Sequence, residues 1–232
     1  MSQTNALKFE AGRLILDSPL ASSYMRAREA YQHTRYIKRC DVVVDGFPRS
    51  ANTYAWFALK STVEPKYVVR GHTHSAATLK SAIVDHKPGM LIVRRPDQAV
   101  TSLHQLTNGI SLDALFRAYT RFHSRCLTLK GNGLYIAKFE DVVTDFGAVL
   151  DDFYSAHGLN WPSYVKTVDS EEKVFDIVEH SNMRGNGGVV HESSVARPST
   201  KRMTSSQVLS RMSEKEKESL KKAEDVYWSL VE

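Results

Sequence analysis

The strongest constraint on the fold is one passage: the run VVVD at residues 42–45 leads into GFPRSANT at 46–53 and then into a helical stretch beginning near Thr53. An unbroken apolar run of strand length reads as a strand buried on both faces, as in a parallel sheet. The pattern recurs along the chain. Residues 67–69, 90–93 and 134–139 read as further strands, and helix-like segments over 76–84, 97–106 and from Glu140 and Asp141 to about residue 156 follow them in turn. Strand and helix in alternation predict an α/β fold, a single domain with a central parallel sheet flanked by helices and a P-loop-like strand-loop-helix. That domain is expected over residues 41–232. Residues 1–40 are expected to form an N-terminal helical extension, with Ser18 as cap and Pro19 as first helical residue.

Other local signals agree. Ser111 is placed to cap a helix whose Leu112, Leu115, Phe116, Tyr119 and Phe122 recur at helical spacing and predict a core face. Ser213 and Glu216 have capping-box spacing and open a mixed-charge helix that Tyr227 and Trp228 can dock. Between residues 181 and 200 the composition turns to Gly, Asn, Ser and basic residues, which predicts a long loop, ordered or mobile, of the kind that is usually either functional or disordered.

The chain has 232 residues, 42% of them hydrophobic and 25% charged, which excludes disordered, collagen-like and coiled-coil classes. Thirty-one Lys and Arg against 26 Asp and Glu leave a formal charge of +5, a mild excess suited to an anionic partner. The basic residues are scattered, and no aromatic and basic RNA-reading motif occurs, so no nucleic-acid partner is expected. Cys40 and Cys126 lie far apart without a CxxC or Cys/His cluster, as in a reduced compartment. No apolar run approaches the roughly 20 residues of a membrane span and no secretory signal is evident, so a cytoplasmic location is expected.

A strand that ends in Gly46 and turns into a helix near Thr53 gathers backbone amides and the positive end of a helix around one point, which suits an oxyanion. In the nucleotide-binding pattern GxxxxGK[ST], Gly46 and Thr53 are in register, but Ala51 replaces the second Gly and Asn52 the Lys. A P-loop phosphotransferase therefore lacks the lysine that reaches the phosphates. Arg49 instead puts a delocalised cation with fixed donors inside the loop. A non-catalytic anion-binding protein built on the same loop is a further alternative.

Pro48, Arg49, Ser50, Asn52 and Thr53, in that order after a strand, resemble the phosphosulfate-binding loop of the sulfotransferases that use 3'-phosphoadenosine-5'-phosphosulfate (PAPS, product PAP). Ala51 departs from the family's glycine, a change expected to fit if its φ is negative. Tyr54 falls where many members carry a tryptophan that stacks on adenine. A second block agrees: Arg94, Arg95 and Pro96 end the third strand, and Ser102 follows Arg94 by eight residues, as in the family's 3'-phosphate motif. The segment YIAKFEDV at 135–142 is similar to a third family block. Arg184 and Gly185 match the start of the segment that closes over the 3'-phosphate, and Arg197 and Pro198 are similar to smaller bacterial members.

The resemblance implies a sulfotransferase binding PAPS through Arg49, Ser50, Ala51, Asn52, Thr53, Tyr54, Arg94, Ser102, Arg184 and Gly185, with no obligatory metal. Sulfuryl transfer needs an acceptor oxygen in line with the breaking S–O bond, a base for its proton, and positive charge on the leaving phosphate oxygen. Arg49 is implied for the last role. For the base, the family's KTHLP segment aligns Thr73 with its threonine, which puts His74 on the base and His72 beside it as a second donor. An imidazole with an ordinary pKa near ~6.5 can accept a hydroxyl proton at neutral pH. Glu64 is the nearest acid in sequence and a weaker candidate. The implied acceptor is a hydroxyl of a small molecule or carbohydrate, and the protein a monomer or homodimer. The chain is short for the family, which implies an open acceptor cleft.

Overall fold

The computed structural model describes residues 40–107, 110–185 and 203–232. Strands β1 (Val42–Gly46), β2 (Val69–Gly71), β3 (Gly89–Val93) and β4 (Leu134–Lys138) form one all-parallel sheet in the order β2-β1-β3-β4. The helices are α1 (Asn52–Thr62), α2 (Ala76–Val84), α3 (Pro96–His104), α4 (Leu112–Leu127), α5 (Phe139–Thr144), α6 (Phe146–His157), α7 (Val168–Gly185), α8 (Ser205–Leu209) and α9 (Glu214–Val231). The expected α/β class is the observed one. Residues 1–39, with the expected N-terminal helix, and residues 186–202, with Arg197 and Pro198, lie outside the described residues.

Every residue of β1 and β3 is buried, and alternate side chains serve two cores. Val43, Leu91 and Val93 face a core built with Phe47, Leu115, Phe116, Tyr119 and residues of α9, whereas Val42, Val44, Met90 and Ile92 face one built with α1, α6 and α7. This period of two, with apolar residues on both sides, is why the strands read as continuous apolar runs. The first crossover carries β1 to β2 on one side, and β3 pairs with β1 on the other. The carboxyl ends of β1 and β3 therefore flank the point where strand order reverses, the usual crevice for ligands of open α/β sheets.

Several boundaries depart from expectation. The second strand runs two residues later than residues 67–69, because Tyr67 is still in a turn to the Glu64 carbonyl and pairing starts with Val42 against Val69. The helix expected after Glu140 and Asp141 begins at Phe139 and is two helices, since Asp145 breaks it and caps α6 by accepting the Ala148 amide. Residues 181–185 of the expected loop are helical, as the end of α7, and the rest of it lies outside the described residues. Of the two aromatics expected to dock α9, Tyr227 is buried and Trp228 is 48% exposed. Ser111 and Ser213 cap their helices as expected.

Asp113 ties α4 to α9: the Ser219 hydroxyl donates to it at 2.7 Å, and Lys215 and Arg117 pair with it at 3.1 and 3.2 Å. Burial works against the charge, but these partners outweigh it and hold Asp113 below the usual carboxylate range. Cys40 and Cys126 are free and buried, and burial pushes the Cys40 thiol up to about 11. Among the described residues no helix is long and apolar enough to cross a membrane.

His123 sits fully buried on α4 among the rings of Phe47, Tyr119 and Phe122 and donates Nδ1–H to the Tyr119 carbonyl. Its Nε2 has no partner among the described residues, and burial pushes its pKa down to about 3. A depressed histidine pKa favours the neutral ring in the fold, so its contribution is complete above the unfolded value of about 6.5 and is lost as pH falls toward 3. Between about pH 6.5 and 4.5 this one group is expected to remove about 2 kcal/mol of stability. Urea denaturation of wild type and His123→Phe over that interval checks it: wild type should lose about 2 kcal/mol more than the variant as pH falls, and parallel curves would assign the acid sensitivity elsewhere.

Candidate active site

The crevice at the switch point is formed by three loops. The first, between β1 and α1, can exist only with glycine at its entry. A Cβ on Gly46 would lie 2.4 Å from the Ile92 carbonyl oxygen of β3 and 2.6 Å from Asn52 Oδ1. Asn52 closes the loop from below: buried to 3% exposure, its Nδ2 donates to the carbonyls of Gly46 at 3.1 Å and Phe47 at 2.9 Å. The residue standing at the lysine position of the nucleotide-binding pattern is thus an internal brace.

Above this brace, Ala51 is the N-cap of α1 with φ 61° and no side-chain cap bond. The condition of a negative φ, under which alanine was expected to fit here, is therefore not met. The chain keeps the left-handed turn that a glycine would adopt freely, because Asn52 and the strand end fix the path on either side. Ser50 is fully buried, and its Oγ has no partner among the described residues. An uncapped helix start with an unsatisfied buried hydroxyl beside it is an environment that an oxyanion would satisfy.

The second loop follows β3. Arg94 donates from Nη1 to the Arg49 carbonyl at 2.8 Å and from Nε to Gln98 at 3.3 Å, and its guanidinium lies 4.0 Å from the centre of the Phe139 ring. The Tyr119 hydroxyl donates to the Arg94 carbonyl at 2.7 Å. Arg49 in turn donates from Nε to Ser102 Oγ at 3.2 Å. The two arginines and the serine, separated by up to 53 residues in sequence, thus meet at one place. Burial lowers the pKa of Arg94, against the pull of Glu140 and Asp97.

The third loop, residues 71–74, leads out of β2. A Cβ on Gly71 would come within 1.8 Å of the Val44 carbonyl oxygen, so the turn leaves flush against β1. His72 and His74 have φ of 62° and 52°, and their rings are 4.8 Å apart. His72 Nε2 is in hydrogen-bonding contact with Thr53 Oγ1 at 3.0 Å. Partial burial and the neighbouring His74 hold the His72 pKa below the ordinary histidine value. His74 Nδ1 lies 2.8 Å from the Gly46 carbonyl oxygen. Because a carbonyl only accepts, and the Asn52 Nδ2 that lies 3.4 Å from the same nitrogen already donates to two carbonyls, Nδ1 carries the proton and Nε2 carries the lone pair.

Asp45, an acid near the end of the otherwise apolar β1, holds this third loop. Its fully buried carboxylate accepts from the amides of Gly46, Thr73 and His74 at 2.8, 3.1 and 3.0 Å and from the Thr73 hydroxyl, and its Oδ1 is 3.8 Å from His74 Nδ1. The available signal was an acid at the end of an otherwise apolar β-strand, where burial is tolerated only with several donors.

Not every expected residue reaches the crevice surface. Tyr54 is 6% exposed, with its ring enclosed by Phe146, Tyr164 and Phe175 at centroid distances of 5.9–6.2 Å. Glu64 pairs with Lys66 at 2.9 Å on the exterior. The backbone of Arg184 and Gly185 ends α7, and the Arg184 side chain lies outside the described residues. Among the described residues no group of three or more His, Cys, Asp or Glu side chains is arranged to hold a metal ion.

No family model and no curated protein matches the chain. Among solved structures it is similar to mouse sulfotransferase SULT7A1 in complex with PAP, with a TM-score of 0.50 and 12% identity over 80% of this chain and 83% of that one. The fold is sulfotransferase-like. At this identity the likeness is one of architecture, that of a parallel sheet flanked by helices.

Two substitutions separate strain from close approach in the β1–α1 loop. Ala51→Gly removes a left-handed alanine and is expected to stabilise the protein by about 0.5–1 kcal/mol after the extra chain entropy of glycine is counted. Gly46→Ala is expected to cost about 1–3 kcal/mol by driving a methyl into Ile92 and Asn52. Thermal and urea unfolding measure both; equal signs would contradict the backbone described.

Proposed function

We propose that the chain is a PAPS-dependent sulfotransferase that moves a sulfuryl group to a hydroxyl of a small-molecule or carbohydrate acceptor. The observation that carries this reading is the contact between the two arginine blocks, Arg94 on the Arg49 carbonyl and Arg49 on Ser102, beside a histidine whose basic nitrogen is Nε2. The sulfotransferase-like fold and the motif resemblance support it.

The residues present fit the donor. The orphaned Ser50 hydroxyl and the uncapped start of α1, with the amides of Ala51, Asn52 and Thr53, suit the 5'-phosphosulfate end. Arg94 and Ser102 suit the 3'-phosphate through charge-assisted hydrogen bonds, and Arg184 and Gly185 are proposed to add to that end. The Asn52 side chain, already bonded to two carbonyls, works against the P-loop phosphotransferase alternative. PAPS, when bound, supplies the sulfuryl group and a phosphate that departs as an anion. His74 takes the acceptor's hydroxyl proton at Nε2 as the new O–S bond forms. Arg49 offsets the negative charge that develops on the departing phosphate oxygen. His72, kept neutral, contributes a second hydrogen-bonding group beside the transfer.

Ligand-dependent unfolding tests the donor. PAP at about 100 times its Kd should stabilise the protein by about 2.7 kcal/mol, whereas ATP with Mg²⁺ should act weakly. A shift with ATP and none with PAP would overturn the reading. Arg94→Ala is expected to weaken PAP binding on the order of 10- to 100-fold. His74→Ala should leave PAP binding intact and lower turnover of labelled PAPS with a responsive acceptor by about 10²- to 10⁴-fold. Full turnover in His74→Ala would remove the histidine from the mechanism.

A further inference from the structure

We infer that Asp45 is the positioning residue of this site: its buried carboxylate holds the 71–74 turn so that His74 keeps its proton on Nδ1 and presents Nε2 as the base. The inference rests on the reading of His74 as the base, and it adds a residue that the motif resemblance does not supply.

The carboxylate receives hydrogen bonds from three backbone amides and one hydroxyl, and all four belong to the strand end or the histidine turn. A carboxylate surrounded only by donors acts as an acceptor on both oxygens. Two of these bonds reach the residues on either side of the Thr73–His74 peptide, which fixes its plane and therefore the direction in which the His74 side chain departs. The turn needs such anchoring, because His72 and His74 both occupy the left-handed region that a non-glycine residue adopts at a cost. With the peptide so held, His74 Nδ1 reaches the Gly46 carbonyl at 2.8 Å. The Gly46 amide is bonded to the same Asp45 oxygen that receives the His74 amide. One carboxylate oxygen therefore sets both ends of the hydrogen bond that decides the tautomer.

The tautomer matters because a histidine released into water favours the proton on Nε2, the nitrogen that must accept the acceptor's proton. Loss of the anchor would convert the base into a donor without removing the ring. When His74 takes the hydroxyl proton it becomes an imidazolium, with both nitrogens protonated. The electron pair of the broken O–H bond goes into the new O–S bond, and that of the old S–O bond leaves with the phosphate oxygen. Asp45 Oδ1, 3.8 Å from Nδ1 and shielded from water, carries the opposite charge to that imidazolium.

The test substitutes Asp45→Asn, which keeps the shape but turns one acceptor oxygen into a donor facing the Thr73 amide. Nitrogen NMR of ligand-free protein reads the His74 ring directly. The expected wild-type pattern is a protonated Nδ1 and a bare Nε2; in Asp45→Asn the signal should move toward protonated Nε2. With PAPS and a responsive acceptor, kcat should fall by about 10²-fold or more, while the acceptor KM and the PAP Kd change by less than about threefold. Unchanged His74 shifts in Asp45→Asn would overturn the proposal, as would a loss confined to KM. Should Asp45→Asn not fold, Thr73→Val, which removes only the hydroxyl from the carboxylate, is read by the same spectrum: a smaller shift in the same direction supports the anchor and none overturns it. A protein that neither binds PAP nor turns over PAPS would overturn the sulfotransferase reading, while the ligand-free spectra would still decide the role of Asp45.

Discussion

The side-chain amide of Asn52 is the contact on which the rest of the crevice depends. By donating to the carbonyls of both Gly46 and Phe47 it ties the strand end to the first turn of α1. Gly46 is required by the same contact, since a methyl there would collide with Asn52 and with the neighbouring strand. The loop that results exposes the beginning of a helix to the carboxyl edge of the sheet. It also sets the Gly46 carbonyl where His74 can reach it and the Arg49 carbonyl where Arg94 can.

Backbone strain is concentrated in the same place. Of the five non-glycine residues with positive φ among the described residues, Arg49, Ala51, His72 and His74 line the crevice, and only His86 lies elsewhere. Each left-handed residue costs roughly 1–2 kcal/mol. Such a cost persists where the surroundings over-determine the backbone, and here they do: Asn52 braces one loop, Asp45 the other, and Arg94 ties the first to β3. The strain and its anchors together give a crevice whose geometry is set by the fold itself; for the proposed transfer, such preorganisation would favour interactions with developing charge over those with a relaxed ground state.

The parts of this arrangement that were legible in the sequence are those encoded locally. A buried strand, a glycine turn and a helix start identify the first loop within a dozen residues, and the Ser111 and Ser213 caps lie three residues from the amides they bind. Arg94 and Ser102 were legible through the family motif that they resemble, whose members stand eight residues apart. Asp45 was not, because its partners Thr73 and His74 are 28 and 29 residues away and nothing near Asp45 marks it as their acceptor. The left-handed φ of Ala51 was not legible for a related reason: alanine by itself favours negative φ, and only the brace beneath it decides otherwise. Helix α7 escaped notice because its buried Val174 and Val178 are diluted by acids and exposed apolar side chains such as Ile177.

Arg94 shows how the crevice couples fold to charge. A cation drawn away from water is disfavoured, and burial lowers its pKa accordingly. It stays because three different elements support it: Phe139 beneath the guanidinium, Gln98 on α3, and the Arg49 carbonyl of the β1–α1 loop. Glu140 and Asp97 offset part of the charge from a distance, but neither replaces the lost hydration. An anion received at this point would relieve that deficit and at the same time tighten the loop that Arg94 already holds. Affinity and order in the loop are therefore expected to rise together. A lysine at position 94 would keep the charge but could not reproduce the flat stack on Phe139 together with two directed hydrogen bonds, so the site depends on the guanidinium shape as much as on its sign.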